Sequence, residues 1–215
     1  VNDPQDPRRI NQLWVNDGQG NYTEEAAARG LVFFAQSWTA DFADIDNDGD
    51  FDCLVTNHST TLLLLENDGT GNFTDITAGS GLEVTGFFLQ AKLEDFDNDG
   101  YVDLVYSGGA HAYFKNNGDQ TFTNVPNMFP YGDTMHSFAT GDVNRDGQID
   151  LYASYGNSYV SPDNGNDDVL WINNGNTGQQ WITFELEGFQ SNRDAVGATV
   201  EITGTFGTQV RSARA

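Results

Sequence analysis

Three short segments of the sequence carry acidic side chains at alternate positions. They occupy residues 44–52, 95–103 and 142–150, and each follows the pattern Asp-x-Asp/Asn-x-Asp-Gly-x-x-Asp. Alternate side-chain oxygens on a tightly turning loop can converge on one point, the glycine permits the sharp turn, and Ca²⁺ takes six to eight oxygen ligands. The spacing therefore predicts one calcium ion in each of the three loops.

The predicted ligands occupy the same positions in every loop. Side-chain oxygens at positions 1, 3, 5 and 9 bind the ion, and the main-chain carbonyl of position 7 completes its shell. The side chains at position 7 are chemically unrelated, which fits a backbone ligand. The predicted ligand residues are Asp44, Asp46, Asp48, Asp50 and Asp52 in the first loop, Asp95, Asp97, Asp99, Tyr101 and Asp103 in the second, and Asp142, Asn144, Asp146, Gln148 and Asp150 in the third. Fewer charges should weaken the third site, where Asn144 replaces an acid beside Arg145.

An EF-hand is the closest alternative, but it needs a glutamate at loop position 12 and flanking helices. Position 12 is Val55, Tyr106 or Ala153 in the three loops, and β-type residues follow each ninth-position acid. We therefore interpret the segments as calcium loops that connect strands. A solvated acidic turn is a reasonable alternative for one such loop alone, but it is a poor explanation for three in register with a repeat.

The elements that must position these loops also recur. Strands are predicted before each loop, at 37–42, 87–93 and 136–140, and after each loop, at 51–56, 101–107 and 149–154. Apolar runs that start at residues 13, 64, 113 and 170 each lead into an Asn-Asp-Gly or Asn-Asn-Gly turn, which favours a hairpin because Asn and Gly accept positive φ. Four short strands in about 50 residues are typical of a propeller blade.

The sequence thus predicts an all-β fold, a β-propeller built from four-stranded blades with calcium loops. Residues 1–12 are predicted to be a linker, 13–178 the repeat region, and 179–215 a separate β segment. Because the chain starts with half a blade, we expect an incomplete piece of a larger ring that belongs to a longer polypeptide or needs a partner. Two alternating strands are predicted in the tail, at 181–186 and 198–203, joined by a structural turn with an internal Arg193–Asp194 pair.

Composition excludes several partner classes. The 32 acidic residues against 9 Lys and Arg give a formal charge of −23, which would repel nucleic acid and anionic membrane surfaces. No apolar segment has the length of a membrane span, so membrane insertion is not expected. The one cysteine, Cys53, cannot form an internal disulfide and is interpreted as a small buried hydrophobe.

Catalytic motifs are missing from the sequence. His58, His111 and His136 have none of the spacings of a zinc site, and neither a Gly-x-Ser-x-Gly nucleophile motif nor a phosphate-binding glycine fingerprint occurs. The acids of the loops are assigned to the metal. We therefore expect that the protein is not an enzyme.

At its acidic loops the chain resembles the FG-GAP/VCBS repeat family, whose calcium loops occur in integrin-α-like β-propellers. The resemblance covers residues 13–174. Residues 180–200 and 209–211 are similar to the start of the ASPIC/UnbV motif, with Ser-Asn-Arg-Asp-Ala-Val-Gly at 191–197 as the most specific stretch. That motif follows such repeats in secreted acidic proteins, and the chain ends before the Gly-rich part that the motif implies.

These observations favour a calcium-stabilised extracellular module for adhesion, surface assembly or a filament scaffold, with a protein partner or self-assembly. Calcium near millimolar outside cells would fill weak modular sites, whereas resting cytosol would leave them empty. One alternative is a brace for a catalytic domain outside this chain. Another is a glycan-binding propeller that stacks sugars on exposed aromatic residues. The aromatic candidates are Trp38, Tyr131, Tyr155, Tyr159 and Trp171.

Overall fold

The computed structural model describes residues 10–129, 132–157, 165–175, 178, 180–189 and 192–213. Within these residues the chain forms β-strands and turns and contains no helix, so the all-β prediction is confirmed. No helix that is long and apolar enough to cross a membrane occurs in them. Most of the predicted linker lies outside the described residues.

The described strands number fifteen. They are β1 (Trp14–Asn16), β2 (Tyr22–Glu24), β3 (Ser37–Ala43), β4 (Asp52–Thr61), β5 (Leu63–Asn67), β6 (Phe73–Asp75), β7 (Thr85–Glu94), β8 (Asp103–Gly108), β9 (Ala112–Asn116), β10 (Phe122–Val125), β11 (Thr134–Gly141), β12 (Asp150–Gly156), β13 (Val169–Trp171), β14 (Thr199–Gly204) and β15 (Gly207–Ser212). The strands predicted on both sides of each acidic loop are confirmed, although those after the loops begin later, at the ninth-position aspartate.

Antiparallel repeat units organise these strands. The first unit is β3-β4-β5-β6 and the second is β7-β8-β9-β10. Three described strands, β11-β12-β13, form the third unit, and β1 pairs with β2 in a separate hairpin. The three units share one register. In each unit, the residue directly after the ninth-position aspartate pairs with the equivalent residue of the hairpin strand. The equivalent pairs are Cys53 with Leu65, Leu104 with Phe114, and Leu151 with Trp171.

The second strand of one unit pairs with the first strand of the next unit, at the strand ends that lie away from the acidic loops. The end of β4 pairs with the start of β7, and β8 pairs with β11 at Gly108 and Met135. Among the described strands no pairing joins the first unit to the third, so these strands do not close a ring. The larger ring stays a prediction.

The core lies between the units, because successive side chains of one strand point to opposite faces. Leu54 of β4 packs in a cluster with Phe88 and Leu104 of the second unit. Its neighbour Cys53 packs on the other side, in a cluster with Leu31 near the N-terminal hairpin. Cys53 is therefore the buried hydrophobe that the sequence predicted, and burial raises the pKa of its thiol to about 12.

The prediction for the tail is wrong in part. Residues 181–186 are not a strand, and most of them are exposed. Their apolar and polar alternation stabilises a strand only when a partner strand and a covered face are present. The hairpin of the tail is instead β14 with β15, in register from Thr199 and Ser212 onward. Arg193 lies 3.8 Å from Glu187 rather than forming the expected internal pair.

Candidate metal centres

Each acidic loop connects the first two strands of one repeat unit. Its fourth and sixth residues adopt positive φ, which lets a short loop turn sharply. The fourth-position φ values are 61° at Asn47, 57° at Asn98 and 62° at Arg145, and the sixth-position values are 105° at Gly49, 99° at Gly100 and 84° at Gly147. Arginine tolerates this conformation less well than asparagine or glycine, so the third loop differs from the other two in having a less suitable residue at position 4.

The backbone draws the first acids of each loop together. The amide of position 5 donates to the side chains of both position 1 and position 3, and the amide of position 7 donates to position 5. In the first loop Asp48 N–H lies 3.1 Å from Asp44 Oδ1 and 3.2 Å from Asp46 Oδ1, and Asp50 N–H lies 3.1 Å from Asp48 Oδ1. The other two loops repeat these hydrogen bonds, through Asp99 and Tyr101 and through Asp146 and Gln148.

Two of the three loops bring three carboxylates to one point. Asp44, Asp46 and Asp48 present oxygens that all lie within 4.8 Å of one another. The corresponding group in the second loop is Asp95, Asp97 and Asp99. Among the described residues the third loop forms no such acidic group, because Asn144 provides an amide where the other loops provide a carboxylate.

The first loop fits a hard cation. Asp44 is 1% exposed, and its Oδ2 has no hydrogen-bond partner among the described residues; Asp50 Oδ1 is likewise buried without one. A buried carboxylate oxygen without a donor is unfavourable unless a cation neutralises it. An all-oxygen donor set of this kind suits calcium or magnesium.

The pKa values of the loop aspartates also indicate a preference for a bound cation. Burial, followed by the charges of Asp46 and Asp48, raises the pKa of Asp44. Burial and the charges of nearby acids raise the pKa of Asp50 to about 6, and burial raises that of Asp95 to about 6. Ionising these loops without a metal is therefore unfavourable, and a bound cation would relieve the repulsion.

The ninth-position aspartates have a structural role that the sequence analysis missed. Asp52, Asp103 and Asp150 are buried, and each accepts two backbone hydrogen bonds. Oδ2 accepts from the second residue of the loop, at 2.9–3.2 Å, and Oδ1 accepts at 2.9 Å from the backbone amide of an asparagine at the end of the hairpin strand or, in the third unit, two residues after it. The donors are Ile45, Phe96 and Val143 for Oδ2, and Asn67, Asn116 and Asn173 for Oδ1. The asparagine that recurs in every hairpin turn was the available signal.

Burial raises the pKa of both Asp52 and Asp103 to about 7. In Asp103 the phenol of Tyr113 adds a third hydrogen bond, at 2.9 Å. A carboxylate oxygen that accepts one N–H retains a second lone pair. These acids therefore fasten the loop to its hairpin and can still bind a metal ion.

Side-chain amides connect one unit to the next. Asn47 Nδ2 of the first loop donates to Gly100 O of the second, at 3.1 Å, and Asn98 Nδ2 of the second donates to Gly147 O of the third, at 2.9 Å. In the opposite direction Asn116 Nδ2 donates to Ile45 O at 2.8 Å. Asn173 Nδ2 donates in the same way to Phe96 O, at 2.7 Å. The three loops therefore form a hydrogen-bonded row.

Two overlapping segments, residues 44–106 and 95–153, match the family model of the FG-GAP-like repeat. Together they cover residues 44–153, just over half of the chain, and each begins at the first aspartate of a loop. The chain belongs to the FG-GAP-like repeat family. No curated protein matches it. The similarity of the tail to ASPIC/UnbV stays a prediction, since the matched residues end before it and part of its core, Ser191, lies outside the described residues.

The second FG-GAP-like loop is contacted by two cations of the protein. Lys115 Nζ of β9 forms ion pairs with Asp97 and Asp99, at 2.6 Å to Asp99 Oδ2. Burial alone would lower the pKa of Lys115, but the hydrogen bonds to the two aspartates outweigh it and raise the pKa. Arg211 of β15 donates to Gly100 O at 3.1 Å. The sequence analysis missed both residues.

The aromatic residues outside the repeat loops give limited support to the glycan alternative. Trp38 is 43% exposed and lines a shallow cavity of about 290 Å³ with Thr39, Leu89, Gln90 and His136. The Gln90 amide already donates to and accepts from the Phe138 backbone, at 2.9 and 3.0 Å.

The other glycan candidates are less well placed. Tyr155 is 5% exposed in the core around Met135 and Phe138, so its predicted exposure is wrong. Trp171 is half-buried and donates to Tyr155 Oη at 3.1 Å. Tyr131 and Tyr159 lie outside the described residues.

Proposed function

We propose that this FG-GAP-like protein is a calcium-stabilised extracellular structural or interaction module without catalytic activity. The observation that carries the proposal is the first loop, where Asp44 has a buried, unpartnered Oδ2 and is one of three aspartates that each present one oxygen within 4.8 Å of the others. Calcium bound there would neutralise charges that the folded chain otherwise crowds together. The second and third loops would bind calcium through the equivalent residues, giving three ions.

Calcium suits these loops better than magnesium does. Calcium accepts six to eight oxygens in flexible geometry, whereas magnesium demands near-ideal octahedral geometry and loses its waters reluctantly. Weak sites of this kind are filled at millimolar calcium, which is typical outside cells. This difference in concentration is the physical argument for an extracellular location.

The repeat units are, in this proposal, blades of a β-propeller that belongs to a larger ring. The shared register of the units and the apolar clusters between them support it. In the described residues β1 pairs only with β2, which leaves one strand edge available. An available edge favours association with another chain, so we propose a protein partner or self-assembly.

Thermal unfolding tests the calcium proposal. Three ions that bind only the folded loops should each stabilise by roughly 1.4 kcal/mol at a free concentration about 10 times the dissociation constant, a ratio that millimolar calcium reaches at weak sites. Millimolar calcium should therefore raise the midpoint by many degrees over metal-free protein, and magnesium should raise it much less. Equal midpoints in all three solutions would contradict the proposal.

The substitution Asp44→Asn locates the effect in the first loop. Asparagine keeps an acceptor for the Asp48 amide but removes the buried charge, so most of the stabilisation from that one ion should be lost. Asp167→Asn is the matched control, since Asp167 is exposed and lies outside the loops. The control should keep the full calcium response. An Asp44 variant that responds like the control would exclude the first loop as the site.

A further inference from the structure

We propose that Lys115 is a built-in counter-cation of the second loop, which calcium must displace, so that this loop binds calcium more weakly than the first. The inference rests on the proposed calcium sites and concerns how they differ. The number of ligand carboxylates does not predict this difference, because both loops have aspartates at positions 1, 3, 5 and 9, and position 7, Asp50 or Tyr101, is expected to bind through its main-chain carbonyl.

The ammonium group of Lys115 contacts the carboxylates that would face the metal. It pairs with Asp97 Oδ2 and with Asp99 Oδ2, and these two acids and Asp95 each present one oxygen within 4.8 Å of the others. Two cations cannot share these oxygens without repulsion. Calcium that binds all three acids must therefore displace the ammonium group from these oxygens.

The position of Lys115 is fixed by β9 and has an equivalent in each repeat unit. Lys115 directly precedes the asparagine whose backbone amide donates to the ninth-position aspartate. The residues that precede the equivalent asparagines in the first and third units are Glu66 and Ile172. The three units therefore place an acid, a cation and an apolar side chain at the same point beside the loop.

The first loop has the opposite electrostatic environment. Glu66 Oε1 and Asp46 Oδ2 both accept hydrogen bonds from Gln120 Nε2, at 2.6 and 2.8 Å, so an additional carboxylate lies beside the loop. In the described residues no lysine or arginine forms an ion pair with an acid of the first loop. Asp44 Oδ2 is left without a partner there, whereas its equivalent in the second loop, Asp95 Oδ2, accepts the Gly100 backbone amide at 2.9 Å.

The same contact has two opposite consequences. Without calcium, Lys115 stabilises the second loop by reducing the repulsion between its acids. With calcium, it competes with the ion and lowers the affinity. Arg211 does not distinguish the two loops in this way: its guanidinium donates to Gly100 O, but its charge interacts with Asp95 of the second loop and also with Asp44 of the first.

A calcium titration of the full chain, followed by the amide NMR signals of Gly49, Gly100 and Gly147, reports on the three loops separately. In the unsubstituted protein the Gly49 signal should shift at lower calcium than the Gly100 signal. In Lys115→Met the Gly100 midpoint should fall roughly 10-fold, the effect of removing one nearby unit charge, while the Gly49 midpoint changes little. Glu66→Lys should raise the Gly49 midpoint by a similar factor.

Lys92→Met is the matched control, because it removes the same charge and side chain but Lys92 contacts Asp41 and Glu94 rather than loop ligands. It should shift every midpoint by less than about 2-fold. A second measurement is thermal unfolding, where Lys115→Met should be less stable than the unsubstituted protein without metal and should gain more from calcium.

The outcomes separate this inference from the proposed function. Suppose that the three glycine signals respond to calcium but Lys115→Met changes the Gly100 midpoint no more than Lys92→Met does. This result would overturn the role of Lys115 and leave the proposed calcium sites intact. A protein whose three glycine signals do not respond to calcium would overturn both.

Discussion

Asp52 and Asp48 belong to the same loop but have different partners. Both oxygens of Asp52 accept backbone amides, from Ile45 and Asn67, in a buried position. Asp48 is exposed, and its Oδ1 accepts one amide, from Asp50. Asp52 therefore supports the loop in the metal-free protein, whereas Asp48 matters mainly when a cation is bound.

Asparagine substitution at each position tests this distinction. Asp52→Asn turns an acceptor into a donor against a buried amide, so it should lower the free energy of unfolding by about 1–3 kcal/mol even without metal. Asp48→Asn keeps the acceptor and removes a crowded charge, so its metal-free stability should be unchanged or higher, with a smaller gain from calcium. Denaturant unfolding at about pH 8, with and without calcium, measures both. Equal metal-free losses in the two variants would contradict the assignment.

At the scale of elements, the hairpin of one unit holds the loop of the unit before it. Asn116 at the end of β9 is fully buried, and its amide donates to Ile45 O of the first loop and to Val102 O of the second. Its Oδ1 also accepts the amide of Gly118 at 2.9 Å. One side chain thus fixes its own turn and the contact between two units.

The substitution Asn116→Ala should therefore weaken the association of the first two units. Three hydrogen bonds are lost and buried carbonyls are left unpaired, so the free energy of unfolding should fall by about 2–4 kcal/mol. The equivalent Asn67→Ala is the control, because among the described residues the side-chain amide of Asn67 donates only to Phe51 O. It should be less destabilising. Hydrogen exchange of the β4 and β7 amides should accelerate more in the Asn116 variant, and equal effects would contradict the link between units.

For the whole molecule, the formal charge of −23 makes stability depend on both protons and calcium. In the metal-free fold the pKa values of Asp52 and Asp103 are raised to about 7 and those of Asp50 and Asp95 to about 6, from 3.8. The folded chain then binds more protons than the unfolded chain between these values. Stability of the metal-free protein should therefore be greatest near pH 4 and fall as pH rises to about 7.

Calcium should change this dependence, because it binds the ionised carboxylates. The melting temperature of metal-free protein should decline from about pH 4 to about pH 7, and the increase produced by calcium should grow over the same range. Melts of dialysed protein at several pH values, with and without calcium, measure both trends. A metal-free melting temperature that rises with pH would show that the acids are not held in the protonated form by burial.

The sequence by itself determined the acidic loops and the strands around them. The clustered aspartates of the first and second loops lie within five residues, so their convergence follows from local turns at positions such as Asn47 and Gly49. The strands were predictable because apolar residues and Asn-x-Gly turns recur with the repeat. Local conformation and short spacing were sufficient in both cases.

Only the tertiary structure decided which distant residues surround the loops. Asn116 binds a carbonyl 71 residues away, and Arg211 binds one 111 residues away, from a tail whose pairing was predicted incorrectly. Lys115 had no sequence motif that marked it as a partner of Asp97. A strand pattern specifies which face is apolar but not which strand or loop will cover it, because that choice depends on how all the units pack. The loops were therefore encoded locally, whereas their charge balance was set by the packing of the repeat units.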